Sequence, residues 1–96
     1  RLFAAKEMGS KPLMSGALKA VILAYYAVPA SWTKKKRADA LWNGKQSKPD
    51  VDNIAKLVLD SLNGVVFNDD SQVTYLRVGK FYGPEPGIVV SISQEE

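Results

Sequence analysis

The sequence of 96 residues contains no cysteine and no histidine. Without cysteine there is no structural disulfide and no thiol chemistry. Without either residue there is no zinc site of the Cys/His kind and no histidine general base. Any catalysis must therefore use carboxylates, lysines, hydroxyl groups or a hard metal ion held by oxygen ligands.

A long hydrophobic run is also absent. The most apolar stretch, residues 17–30, is shorter than the roughly 20 residues needed to cross a bilayer, and it contains Lys19 and two tyrosines. No signal-peptide pattern is visible. We therefore predict a cytoplasmic protein with no membrane partner. The sequence opens on Arg1 in the middle of a helix-like pattern, "RLFAAKEM", and we expect a further N-terminal segment before it.

The composition predicts one folded domain. Hydrophobic residues make up 46% of the chain and charged residues 24%, which are values typical of globular proteins. A chain of this length forms a single domain near the small end of what folds alone. The formal net charge of +3 permits a polyanionic partner without requiring one.

The pattern of elements favours an α+β fold, with a small mixed sheet packed against helices. The run "GALKAVILAYYAVP" fits either a helix or a buried strand. We favour the strand, because an apolar run of this length with β-branched and aromatic residues is typical of a sheet centre. The other predicted elements are helices at 1–8, 32–42 (capped by Ser31) and 52–62, and strands at 72–82 and 87–93.

The helix at 52–62 has an apolar stripe at helical spacing, and Asn63-Gly64 is a typical stop signal. We interpret Trp32 and Trp42 as packing residues rather than base-stacking ones. Phe67, Tyr75 and Phe81 are interpreted as core or dimer-interface residues. The stripe predicted to be buried consists of Ile54, Leu57, Val58, Ser61 and Leu62.

Two acidic pairs stand at element ends. Asp50 and Asp52 precede the apolar stripe of a helix, where an aspartate is a common N-cap. Asp69 and Asp70 lie in a segment where aspartates commonly form turns. Each pair alone is therefore explained by local structure.

Lys56 lies four residues after Asp52 on the same helix face, which creates a cluster of two acids and one base. If the second acidic pair folds back beside this cluster, three or four carboxylates meet. Crowded carboxylates are costly as bare anions and become favourable around a divalent metal. The spacing thus leaves a metal site and a purely structural role both open.

Residues 48–83, "KPDVDNIAKLVLDSLNGVVFNDDSQVTYLRVGKFYG", resemble the signature region of RusA-type Holliday-junction resolvases. The upstream "SWTKKKR" at 31–37 resembles the segment that precedes this region in the family. The combination of P-D-x-D-N-x-x-K with a downstream D-D-S-Q is far more specific than a single D-x-D. The resemblance implies a RusA-like nuclease domain over residues 1–96, of bacterial or phage origin.

The resemblance also implies the roles of individual residues. Asp50, Asp52 and Asp70 would be metal-binding catalytic carboxylates, Asp69 a supporting metal ligand and Lys56 the catalytic lysine. The implied metal is Mg²⁺, with Mn²⁺ as a substitute, because an all-oxygen site suits such ions. The implied partners are branched DNA, in the form of a four-way junction, and a second copy of the chain in a homodimer.

A basic run precedes the signature region. Taken alone, such a run is a solvated helix face; before a nuclease motif, contact with DNA phosphates is the better interpretation. The residues predicted to bind DNA are Lys34, Lys35, Lys36, Arg37 and Lys48. Two alternatives stay open: a DNA-binding module without catalysis, and a nuclease for other branched DNA.

Overall fold

A computed structural model describes residues 12–95 of the chain, and the helix predicted at 1–8 lies outside them. The described part is α+β, as predicted. Its elements are β1 (Leu18–Ala27), α1 (Lys34–Asn43), α2 (Val51–Leu62), a 3₁₀ helix (Asp70–Gln72), β2 (Val73–Gly83) and β3 (Gly87–Gln94). Among residues 12–95, no helix is long and apolar enough to span a membrane.

The three strands form a mixed sheet in the order β2-β1-β3. The central strand, β1, is parallel to β2 and antiparallel to β3. A strand with neighbours on both sides has its backbone groups satisfied by the sheet and can be apolar on both faces. This confirms the strand interpretation of the ambiguous apolar run.

The core lies between α2 and one face of the sheet. Leu18 and Ile22 of β1 are fully buried, and they pack in one cluster with Ile54 and Val58 of α2 and with Phe67. Alternate residues of a strand point to opposite faces, so these β1 residues share the covered face. The core assignment of Phe67 is thereby confirmed.

The predicted stripe on α2 was partly wrong. Leu57 is 72% exposed, Ser61 is exposed too, and Ala55 is only 7% exposed. The buried arc runs from Ile54 through Val58 to Ala55, and this rotation places Leu57 about 60° outside it. The stop signal at Asn63-Gly64 is confirmed, since the helix ends at Leu62 and Gly64 has a φ of 75°.

Helix α1 starts later than predicted. Its N-cap is Thr33, whose Oγ1 accepts a hydrogen bond of 3.2 Å from the Lys36 amide, and the prediction of Ser31 was wrong. The physical reason is a turn before the helix, closed by a bond of 3.1 Å from the Trp32 amide to the Pro29 carbonyl. Ser31 lies within that turn.

The two tryptophans differ. Trp32 is half-buried and packs edge to face on Tyr82, with ring centroids 5.4 Å apart, which confirms its packing role. Trp42 is 89% exposed, so its interpretation as a packing residue was wrong. It lies on α1, a helix with no buried residue.

The second sheet face has exposed apolar side chains. Phe81 pairs with Tyr25 across β2 and β1, and Val89 pairs with Leu23 across β3 and β1. Directly paired residues have their side chains on one face, and here that face is opposite to the core. Tyr75, Phe81 and Val89 are 49%, 40% and 50% exposed, so Tyr75 and Phe81 are not core residues in the described protomer.

Candidate active site

The first acidic pair lies at the start of α2. Asp50 occupies the N-cap position, and its carbonyl oxygen accepts a hydrogen bond of 3.2 Å from the Ile54 amide. Its side chain, however, makes no capping hydrogen bond. The carboxylate instead accepts a hydrogen bond of 2.8 Å from Lys48 Nζ. The helix start therefore uses the backbone of Asp50 and leaves its carboxylate to other groups.

Asp52 and Lys56 lie one helical turn apart on α2, and both are exposed. Asp52 is in the first turn, where its negative charge interacts favourably with the helix dipole. Lys56 is on the same side of the helix, outside the buried arc. Both side chains are accessible to a large substrate.

Lys80 fixes the loop that leads into α2. Its Nζ donates hydrogen bonds of 2.8 Å to the carbonyl oxygens of both Ser47 and Pro49. Its own carbonyl accepts a bond of 3.2 Å from the Lys45 amide. Since Pro49 directly precedes Asp50, these contacts set where the first acidic pair begins.

Sequence reasoning missed Lys80, although a signal was present. Lys80 is two residues from both Val78 and Tyr82 along β2, so the three side chains share one face, which is the covered face of the sheet. Its partner across the sheet, Ala24, is 1% exposed. A half-buried lysine on a core-facing register position needs acceptors, and here the loop carbonyls provide them.

The second acidic pair forms a tight turn. Asp69 Oδ2 accepts a hydrogen bond of 3.0 Å from the Ser71 amide and so caps the 3₁₀ helix. Hydrogen bonding to Ser71, through its side chain first and its backbone second, lowers the pKa of the Asp69 carboxyl below its ordinary value near 3.8. The structural alternative is therefore confirmed for Asp69, and its role as a metal ligand stays a prediction.

Gln72 holds this turn against the segment before β1, and sequence reasoning missed it too. Its Oε1 accepts hydrogen bonds from the amides of Asn68 and Asp69, at 2.9 and 3.1 Å. Its Nε2 donates to the carbonyls of Met14 and Gly16, both at 3.1 Å. The position of the neighbouring Asp70, which is half-buried, is thus fixed by contacts from another part of the chain.

The two acidic pairs reach α2 from opposite ends. Asp50 and Asp52 are at its N-terminus. Asp69 and Asp70 instead follow its C-terminus along the chain, after the turn that comes after Leu62. The 3₁₀ helix is in contact with α2. Within residues 12–95, however, no three carboxylates lie close enough together to hold a metal ion. By ligand type the acids suit a hard cation, but the described protomer does not gather them, and their catalytic and metal-binding roles stay predictions.

The basic run lies in the first turn of α1, which contains no acidic residue. Lys34, Lys35, Lys36 and Arg37 are all exposed. The ammonium group of Lys36 lies 4.3 Å from the centroid of the Trp32 ring, an attractive contact between a cation and an aromatic face. Lys48 is the only one of the predicted DNA-binding residues that forms a salt bridge within the described part of the chain.

Comparison with known proteins gives two matches. The sequence profile of the family described as "Endodeoxyribonuclease RusA" matches residues 1–93. The chain is also 35% identical, over 94 residues, to an uncharacterised Bacillus subtilis (strain 168) protein, YqaN; the match covers 94% of this chain and 66% of YqaN. The chain thus spans about two thirds of the length of that relative. No solved structure matches the chain.

Proposed function

Because the chain belongs to the endodeoxyribonuclease RusA family, we propose that it is an endodeoxyribonuclease that resolves four-way DNA junctions by paired symmetric nicks. The observation that carries this proposal is the family match, which covers both acidic motifs and the lysine between them. The activity would serve DNA recombination and repair or the processing of phage DNA. The Asp50 carboxylate makes no capping hydrogen bond, which supports the proposal, because a purely structural N-cap would use that side chain at the helix start.

We propose Mg²⁺ as the cofactor, with Mn²⁺ as a substitute, held by Asp50, Asp52 and Asp70 with support from Asp69. The bound ion would neutralise charge at the scissile phosphate and lower the pKa of a bound water. Lys56 would bring a positive charge to the phosphate that is cut. Its exposure and its position one turn from Asp52 are compatible with this role.

DNA binding would use the cations on α1. Lysine and arginine side chains on phosphates provide affinity that is independent of sequence and falls with salt. Lys34, Lys35 and Arg37 are exposed, as this role requires. The ammonium group of Lys36 would contact a phosphate from its place beside the Trp32 ring. Lys48 would have to leave its salt bridge with Asp50 to contact a phosphate.

A homodimer would match the two-fold symmetry of a four-way junction and provide one active site for each nick. The exposed apolar sheet face that includes Tyr75, Phe81 and Val89 is the surface we propose for the contact between the two copies. Light scattering of Val89→Glu tests this surface. The variant should fold, because Val89 is half-exposed, and should be monomeric at concentrations where the unsubstituted protein is a dimer.

The direct test of the function is a nicking assay on a synthetic four-way junction, with a flap and a linear duplex as competing substrates. Mg²⁺-dependent, symmetric nicks made faster in the junction than in the flap are the expected result. Faster cutting of the flap would instead favour a nuclease for other branched DNA. Tight junction binding without nicks in either Mg²⁺ or Mn²⁺ would favour a binding module without catalysis.

A further inference from the structure

Helix α1 exposes a tryptophan that the fold does not use. Trp42 is 89% exposed, a larger exposed fraction than for any other large hydrophobic residue of the described chain. No residue of α1 is buried, so the helix is not held by a core of its own. An exposed indole on such a helix is costly in water and is a frequent anchor in binding surfaces.

Trp42 shares the outward side of α1 with part of the basic run. It follows Lys35 by seven residues and Ala38 by four, so the three side chains lie within about 60° around the helix axis. The opposite side faces the protein: Lys36 lies over Trp32, and both line a cleft of about 440 Å³. We call the side formed by Lys34, Lys35, Ala38 and Trp42 the outer face of α1.

The charge on α1 is arranged unfavourably for a free helix. The four cations occupy the first turn, where the helix dipole is already positive, and no acid in that turn offsets them. The arrangement becomes favourable when a polyanion covers the N-terminal half of the helix. This observation points to phosphates as the groups that meet the same outer face on which Trp42 lies.

We propose that the outer face of α1 binds DNA at the branch point, with Lys34 and Lys35 on phosphates and Trp42 stacked on an unpaired base. This inference rests on the proposed function. Lys35 and Trp42 are separated by roughly 10 Å along the helix, at about 1.5 Å per residue, so one strand can offer a phosphate and a base at the same time. In linear duplex every base is covered by its neighbours, whereas an opened junction offers a free base face. Trp42 would therefore add selectivity for branched DNA to the affinity that the cations provide.

A second copy of the chain is the other possible occupant of this face. Contact between two outer faces would bring two groups of cations together, and like charges at short distance repel. The exposed apolar sheet face also has two cations, Lys19 and Arg77, but they are set among apolar side chains that a second copy can cover, so it is the better surface for a copy. The outer face of α1 thus favours DNA.

Fluorescence of a single tryptophan tests the proposal. The chain has two tryptophans, so Trp32→Phe makes Trp42 the only one and keeps an aromatic ring against Tyr82. Its emission should be quenched by a four-way junction and unchanged by linear duplex of the same arm sequence, while the anisotropy of labelled DNA reports binding of both. Trp42→Ala should weaken junction binding by roughly tenfold and leave duplex binding unchanged. Leu41→Ala is the matched control, because Leu41 is 55% exposed and lies about 100° from Trp42 around the axis of α1, and it should bind both DNAs normally.

The outcomes separate the two proposals. Junction binding with unchanged Trp42 emission and an unaffected Trp42→Ala variant would overturn the role of the outer face, even if nicking is normal. Emission that changes with protein concentration in the absence of DNA would also overturn it, in favour of a contact between copies. Quenching by the junction together with a complete lack of nicking would contradict the proposed function and leave the binding role of Trp42 standing.

Discussion

The ammonium group of Lys48 lies 2.8 Å from the carboxylate of Asp50, and both side chains are largely exposed, at 82% and 50%. One of these residues is predicted to contact DNA and the other to bind metal. For Lys48 to bind DNA or for Asp50 to bind metal, the salt bridge between them has to break. Because exposed pairs are weak, either a metal ion or a phosphate can displace the partner.

Replacement of Lys48 should have opposite effects on metal and on DNA. Lys48→Met removes a competing cation from Asp50, so Mg²⁺ should bind a few-fold more tightly in calorimetric titration without DNA. Junction binding should weaken, because a phosphate contact is lost. Lys35→Met is the control. It also removes one positive charge, but from α1, and should leave metal binding unchanged. Equal metal affinity in all three proteins would mean that Asp50 is not a ligand.

Lys80 should matter more for the loop before Asp50 than for the fold of the sheet. Lys80→Met removes the donor to the Ser47 and Pro49 carbonyls, which should cost about 1–3 kcal/mol in the free energy of unfolding. Hydrogen exchange in residues 44–50 should become faster, and nicking should fall more than junction binding because Asp50 is no longer held in place.

The matched control is Arg77→Met on the opposite face of β2. It removes an exposed cation from the same strand and should leave hydrogen exchange in the loop near its original rate. Slow exchange in the loop of Lys80→Met would show that the Lys45 amide bond alone fixes this segment.

Asp69 should contribute to stability in a way that depends on pH. The pKa of its carboxyl is lowered in the folded protein, so the stabilising hydrogen bond to Ser71 is fully present above the ordinary value near 3.8. It is lost as the pH falls through that value toward the lower pKa of the folded state. Asp69→Ala should therefore melt at a lower temperature than the unsubstituted protein at pH 7. The difference should shrink below about pH 4. A difference that stays constant down to acid pH would show that the charge of Asp69 does not act through this bond.

The position of Lys56 on α2 should be as important as its charge. The exposure of Leu57 allows the charge to be moved by about 100° around the helix, in the double variant Lys56→Ala with Leu57→Lys. Folding should be retained, because neither residue is buried. Nicking should drop by roughly a hundredfold, since a charge aimed elsewhere does not reach the phosphate. Leu57→Lys alone is the control and should nick normally; a double variant as active as this control would make Lys56 a surface partner of Asp52 only.

Local features of the sequence predicted much of this molecule, and long-range contacts account for what was missed. The strand β1 and the end of α2 at Asn63-Gly64 could be predicted, because each is determined by residues that are close in sequence. The rotation of α2 toward Ala55 was not, since a helical period fits more than one rotation about the axis. The hydrogen bond from Lys80 to Pro49 joins residues 31 positions apart, which no local pattern reveals.

The candidate site shows the same limit. The acidic motifs were identified by their combined spacing, whereas the capping bond of Asp69 and the salt bridge of Asp50 depend on side-chain geometry. The exposure of Trp42 could not be predicted either, because aromatic residues next to a basic run occur both in cores and on surfaces.

The central claim is that the acids serve catalysis, and the nicking rate of Asp70→Asn on a four-way junction in Mg²⁺ tests it most directly. The backbone carbonyl of Asp70 accepts a bond from the Val73 amide, and this bond survives the substitution. Asp60→Asn is the matched control, because Asp60 is an exposed acid whose carbonyl also accepts a backbone amide, from Asn63. We predict that Asp70→Asn loses at least about a hundredfold in nicking rate while its junction affinity and melting temperature stay those of the control. Nicking at the rate of the control, or loss of the fold, would contradict the catalytic role of Asp70.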